Sequence, residues 1–161
     1  MTYKSFDSRS DLIDSRDVIA KIADLEGVVA DLRKTHGDAY DEAVKAAPDD
    51  RTADQQKIVE AYQTDRNGYV TDMLDGDWDA EELKTLQALA EEGERFPNWK
   101  TGVTLINEDY FEEYAKFFAE DLGVAVDEWP GCYIDWEQAA NSLRNDYSEV
   151  QYEDRTFLVR S

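Results

Sequence analysis

Residues 107–135, NEDYFEEYAKFFAEDLGVAVDEWPGCYID, decide how the chain is read. They open with a helix whose two faces differ. On a helical wheel, Tyr110, Phe111, Tyr114, Phe117, Phe118 and Leu122 fall on one side, a broad apolar stripe of the kind that packs into a core. Glu108, Asp109, Glu112, Glu113 and Glu120 fall on the other. Like charges one turn apart, as in Glu108/Glu112 and Asp109/Glu113, destabilise a helix by roughly 0.2–0.5 kcal/mol per pair. A sequence selected for stability alone would place lysines there, and Lys116 is the one base on the segment. Asp121 lies in the last turn, beyond the helix come Asp127, Glu128, Asp135 and Glu137, and no base occurs between Lys116 and Arg144. Folding does not call for this one-signed surface, so its function becomes the question.

Working outward, the C-terminal side carries clear local signals. Gly123 ends the helix. The loop after it holds Trp129 and a Pro-Gly turn, expected to cover one end of the core, with Trp129 and Trp136 as anchors. Asp135 caps a further helix, DWEQAANSLRNDY. SEVQYEDRTFLVR alternates on both sides of Glu153-Asp154, which reads as a β-hairpin. On the N-terminal side TGVTLI is a short strand, and Asn107 caps the central helix. Residues 99–161 therefore read as a β-α-α-β-β module with a small antiparallel sheet.

The first 98 residues read as mostly helical. Residues 1–13 are polar, a loose or extended lead-in. Asp14 or Ser15 caps a helix in which Val18, Ile22, Leu25, Val29 and Leu32 recur at spacings of three or four, with an end at Lys34 to Gly37. Asp79 caps a second helix, whose stripe is Leu83, Leu86, Leu89 and Ala90, and the two form a helical hairpin. Residues 38–77 between them are a helical insertion, with Thr52 capping ADQQKIVEAYQTD. The expected class is α+β: an N-terminal helical hairpin region followed by a small antiparallel sheet with packed helices.

Composition limits what such a chain does. At 161 residues with 42% hydrophobic content, 4 Trp, 9 Tyr and 6 Phe, it builds a core. Its formal net charge of −21 repels phosphates, which argues against nucleic acid or an anionic membrane as direct partner. One cysteine, Cys132, and one histidine, His36, rule out an internal disulfide and a thiolate metal cluster. There is no Walker loop, GxGxxG, HExxH or GxSxG. Asp75, Asp77 and Asp79 imitate the start of a calcium loop, but Ala80 and Leu86 stand where that loop needs glycine and a bidentate Glu. No catalytic residue, cofactor or metal is expected. Without a signal-peptide core or a run of transmembrane length, a cytoplasmic protein is expected.

The one strong signal is the acidity, and it has several readings. It is a solvated surface, the general acidity of a halophile's domain, or a set of carboxylates standing in for phosphates. Acids on successive helical turns lie ~5–6 Å apart, near the charge spacing along a DNA strand. The last reading predicts a partner-binding surface made of Glu108, Asp109, Glu112, Glu113, Glu120, Asp121, Asp127, Glu128, Asp135 and Glu137.

The segment GVTLINEDYFEEYAKFFAEDLG, with EWPGCYIDWEQAANSLRNDYSEVQYEDRTFLVR, resembles the ArdA family of antirestriction proteins and its phage-encoded relatives. The likeness lies in the Tyr-Phe-Glu-Glu-Tyr-Ala helix, the Trp-Pro turn, Tyr133 to Glu137, and Asn145 to Ser148 before the hairpin. Ser15 to Ile19 is similar to the lead helix of the phage relatives. The resemblance implies an acidic mimic of B-DNA that occupies the DNA cleft of a type I restriction-modification enzyme. It also implies a homodimer, encoded on a mobile element and active in the host cytoplasm. The alternative is an acidic adaptor for a basic partner unrelated to restriction.

Overall fold

The computed structural model describes residues 6–161. Residues 1–5 of the expected lead-in lie outside them. The chain is α+β, with a four-stranded antiparallel sheet and six α-helices among the described residues. The strands are β1 (Leu12–Asp14), β2 (Thr104–Asn107), β3 (Tyr147–Tyr152) and β4 (Arg155–Arg160), in the order β1-β2-β4-β3. The helices are α1 (Ser15–Lys45), α2 (Ala53–Tyr62), α3 (Arg66–Leu74), α4 (Trp78–Gly93), α5 (Phe111–Asp121) and α6 (Trp136–Leu143). Two compact units result, residues 1–21 with 85–161 and residues 22–84. The division thus falls at 21/22 and 84/85 rather than at 98. The cause is β1, which pairs with β2 (Ile13 opposite Leu105) and ties the lead-in to the C-terminal sheet.

In the first unit β4 is central and buried on both faces. Phe157, Leu158 and Val159 are all fully buried, the continuous apolar run such a strand requires. Ile106 of β2 and Leu158 of β4 are opposite each other and share one face. On that face they meet Phe111 and Ala115 of α5, Ala140 of α6 and Tyr147 of β3. The other face presents Ile13, Leu105, Val150 and Phe157, each at most 2% exposed. The hairpin turns at Glu153, whose φ of 54° is the left-handed conformation a tight turn needs. Ser15, fully buried, joins the chain's ends: its Oγ donates to Trp99 O at 2.7 Å and accepts from Val103 N at 2.8 Å.

The second unit packs rings. Tyr69 of α3 lies 5.1 Å from Tyr62 and 5.8 Å from Tyr40, ring centre to ring centre. The Tyr40 hydroxyl donates to Gln63 O at 2.5 Å. Thr52 caps α2 in a capping box with Gln55, as the sequence predicts.

Three expectations are corrected. The helix expected to stop at Lys34–Gly37 runs on to Lys45. Gly37 is not a terminator: a Cβ there would lie 2.1 Å from the Arg66 guanidinium, which pairs with Asp41 at 3.2 Å. α4 is capped by Asp77, which accepts from Ala80 N at 3.1 Å, two residues earlier than the expected Asp79. Residues 12 and 13, the end of a lead-in expected to be loose or extended, form an edge strand with Asp14, expected as a cap candidate, because β2 offers them a partner.

Candidate acidic interaction surface

The expected surface residues sit on one scaffold, α5, the loop after it and α6, and α5 packs on α6. Asn107, expected to cap α5, caps instead the short 3-10 turn Glu108–Tyr110 that leads into it, its Oδ1 accepting from Asp109 N at 3.1 Å, and α5 itself starts at Phe111 with no side-chain cap. Gly123, at φ +88°, ends it. The loop then folds back so tightly that a Cβ on Gly131 would lie 2.2 Å from Ala125 O, which leaves only glycine there. Asp135 caps α6, accepting from Gln138 N at 3.1 Å.

The ten carboxylates divide into two groups. Glu108, Asp109, Glu112 and Glu113 are paired within the molecule. Arg144, at the end of α6, reaches Glu108 at 2.5 Å and Glu149 of β3 at 2.6 Å. Its guanidinium is held above its ordinary range by the hydrogen bond to Glu149 first and to Glu108 second. Arg155, just past the hairpin turn, pairs with Asp109 at 2.5 Å. Lys116 lies 3.1 Å from Glu112 and 3.2 Å from Glu113, and those two hydrogen bonds, Glu112's first, raise its pKa. The like-charge face expected on this helix is therefore compensated by three bases, two of them brought from far along the chain.

Glu120, Asp121, Asp127, Glu128, Asp135 and Glu137 are different. All are exposed, and among the described residues no base lies within ion-pair distance of any of them. Glu120 and Asp127 share with Glu113 a groove of about 450 Å³ whose walls include Phe117 and Trp136.

The apolar expectations need correction here. Phe111 is buried as predicted, but Phe117 is 50% and Leu122 70% exposed. Trp129, expected to cover the core, is 80% exposed, and Tyr133 is 82% exposed. The face of α5 that packs is made of Phe111, Tyr114, Ala115 and Phe118; Phe117 lies beside that face, in the wall of the groove, and Leu122 follows the last residue of the helix. The core is closed instead by Tyr114 and Tyr147, whose hydroxyls meet at 3.2 Å, and burial pushes the Tyr147 phenol above its ordinary range.

No group of three or more His, Cys, Asp or Glu side chains is placed to hold a metal ion among the described residues. Asp77 of the calcium-like sequence is engaged as a helix cap. No described helix is long and apolar enough to cross a membrane. Compared with known protein families, with curated proteins and with solved structures, this chain returns no match.

Proposed function

We propose that this protein is a non-enzymatic, acidic DNA mimic. It inhibits a DNA-binding defence enzyme of a bacterial host, a type I restriction-modification enzyme in the first instance, by occupying its DNA cleft. It acts in the host cytoplasm, as a homodimer. One observation carries the reading: six exposed carboxylates without an internal base, all between Lys116 and Arg144, held on α5, a tightly folded loop and α6. Such a surface presents fixed negative charge to a basic cleft, as a phosphate backbone does. The resemblance of residues 99–160 to the ArdA family supplies the target class.

The test is a competition gel shift with labelled duplex, a type I enzyme and rising amounts of this protein. Free duplex is expected to rise, and steeply less so as salt screens the exposed charges. A supershifted complex that retains both DNA and this protein would sink the mimic mechanism. A chain whose acidity serves only a high-salt solvent would be poorly folded at low salt, so a cooperative melt near 50 mM, on the order of a 14 Å screening length, counts against that alternative.

A further inference from the structure

Six large apolar side chains stand out of the same short stretch: Phe117, Leu122, Val124, Trp129, Tyr133 and Ile134, from 37% to 82% exposed. Contiguous exposed apolar surface marks interaction sites. We propose that the groove between α5 and the loop after it seats an arginine side chain, presented by a basic, partly apolar segment of a partner protein. The groove is walled by Phe117, Glu120, Val126, Asp127, Cys132 and Trp136. Lys116 and Glu113 also line it, and Lys116 is occupied by Glu113 and Glu112. That leaves Glu120 and Asp127 as carboxylates without a counterion beside two aromatic rings.

Charge and chemistry select the occupant. A phosphate is repelled by both carboxylates. A second copy of this chain brings another −21 and the same unpaired acids against the groove. A purely apolar ligand would strip water from Glu120 and Asp127 and offer nothing in return. A guanidinium meets each need, because it is planar, weakly hydrated, stacks on aromatic faces and presents forked donors to carboxylates. A lysine ammonium, compact and strongly hydrated, meets the charge but has no plane to stack on the rings and no fork to match the carboxylates. The consequence is a preference for arginine over lysine, which a surface of charge alone does not have. This inference does not rest on the restriction-enzyme reading.

The experiment uses the full chain and three labelled peptides of equal length and net charge: arginine with leucine, lysine with leucine, and arginine with serine. Binding is read by fluorescence anisotropy at physiological salt. The arginine–leucine peptide is expected to bind about fivefold more tightly than the lysine–leucine one, the worth of an exposed cation–π contact, and more tightly than arginine–serine. Phe117→Ser is expected to reduce the arginine preference and to change lysine–leucine binding less, since Trp136 and both carboxylates remain. Glu120→Gln with Asp127→Asn is expected to weaken all three peptides. Equal binding of the arginine and lysine peptides to the unaltered protein overturns the proposal, as does no binding of any peptide, or a preference undiminished by Phe117→Ser. The peptide result is independent of the gel shift: loss of DNA competition alone refutes the mimic, and loss of arginine preference alone refutes the groove.

Discussion

Two quadruple variants would separate charge in contact from charge in bulk. One carries Glu108→Gln, Asp109→Asn, Glu112→Gln and Glu113→Gln; the other Glu120→Gln, Asp127→Asn, Glu128→Gln and Glu137→Gln. Asp135 is spared because it caps α6. Each variant raises the net charge of −21 by four, so the long-range field changes equally. The local consequences differ. The first variant strips Arg144 and Arg155 of Glu108 and Asp109, and Lys116 of both its partners. Half-exposed pairs of the arginine kind contribute ~0.2–1 kcal/mol each, so their loss costs about 0.5–2 kcal/mol. For a chain of this size that lowers the melting temperature by roughly 2–6 °C. The second variant breaks no ion pair, so its melting temperature is expected to hold or rise slightly. In the competition gel shift the order reverses. Four carboxylates free to meet a basic cleft, at ~0.2–1 kcal/mol each, weaken competition by about ten- to a hundredfold when removed. The paired set, already compensated, weakens it less. If both variants melt like the parent and compete equally poorly, pairing is irrelevant and net charge alone acts, contrary to the division of the surface drawn from the ion pairs.

Other predictions concern the scaffold. Gly27→Ala, at an exposed mid-helix site with nothing within 4 Å of the new Cβ, is expected to stabilise α1 by ~0.5–1 kcal/mol in denaturant titration. Gly37→Ala is expected to give less, because the methyl displaces Arg66 from Asp41. Ser15→Ala leaves Trp99 O and Val103 N without their buried partner, and a calorimetric loss of ~1–3 kcal/mol is expected; no loss would show that the hydroxyl does not join the chain's ends. Asp14 is held below its ordinary 3.8, first by the hydrogen bond from Arg16. Its contribution is therefore present above that value and lost as pH falls through the lower folded-state one. Asp14→Asn is expected to be less stable than the parent at neutral pH, with the difference closing in strong acid.

The sequence is legible where the cause of a structure is local. Thr52, Asn107 and Asp135 cap their helices because each bonds an amide two or three residues on. The hairpin follows from alternation around Glu153-Asp154. It is illegible where the cause is distant. β1 is three residues of mixed polarity, and it is a strand only because β2 lies beside it. Gly37 looks like a stop until Arg66 is folded against it. The acidic face of α5 looks uncompensated because Arg155, which pairs with Asp109, lies 46 residues away. The exposed positions of Phe117 and Trp129 likewise depend on which side of α5 packs and on the course of the loop, which no wheel or spacing reveals.

One outer edge of the sheet has a consequence for how the molecule keeps company with itself. Edge strand β3 is held by the end of α4 and the turn after it: Glu92 Oε2 accepts from Gln151 N at 3.0 Å, and the Arg95 guanidinium donates to Glu149 O. Those two backbone groups point away from β4, and an incoming strand would need both. The opposite edge, β1, is only three residues long. Self-association by joining sheets end to end is thus discouraged on both flanks, and any symmetric pair of these chains must be built from side chains. The Gln151 amide, at a solvent-exposed position on a sheet margin, should exchange its hydrogen as slowly as an interior one. Glu92→Ala should release it while the amides of β4 stay protected.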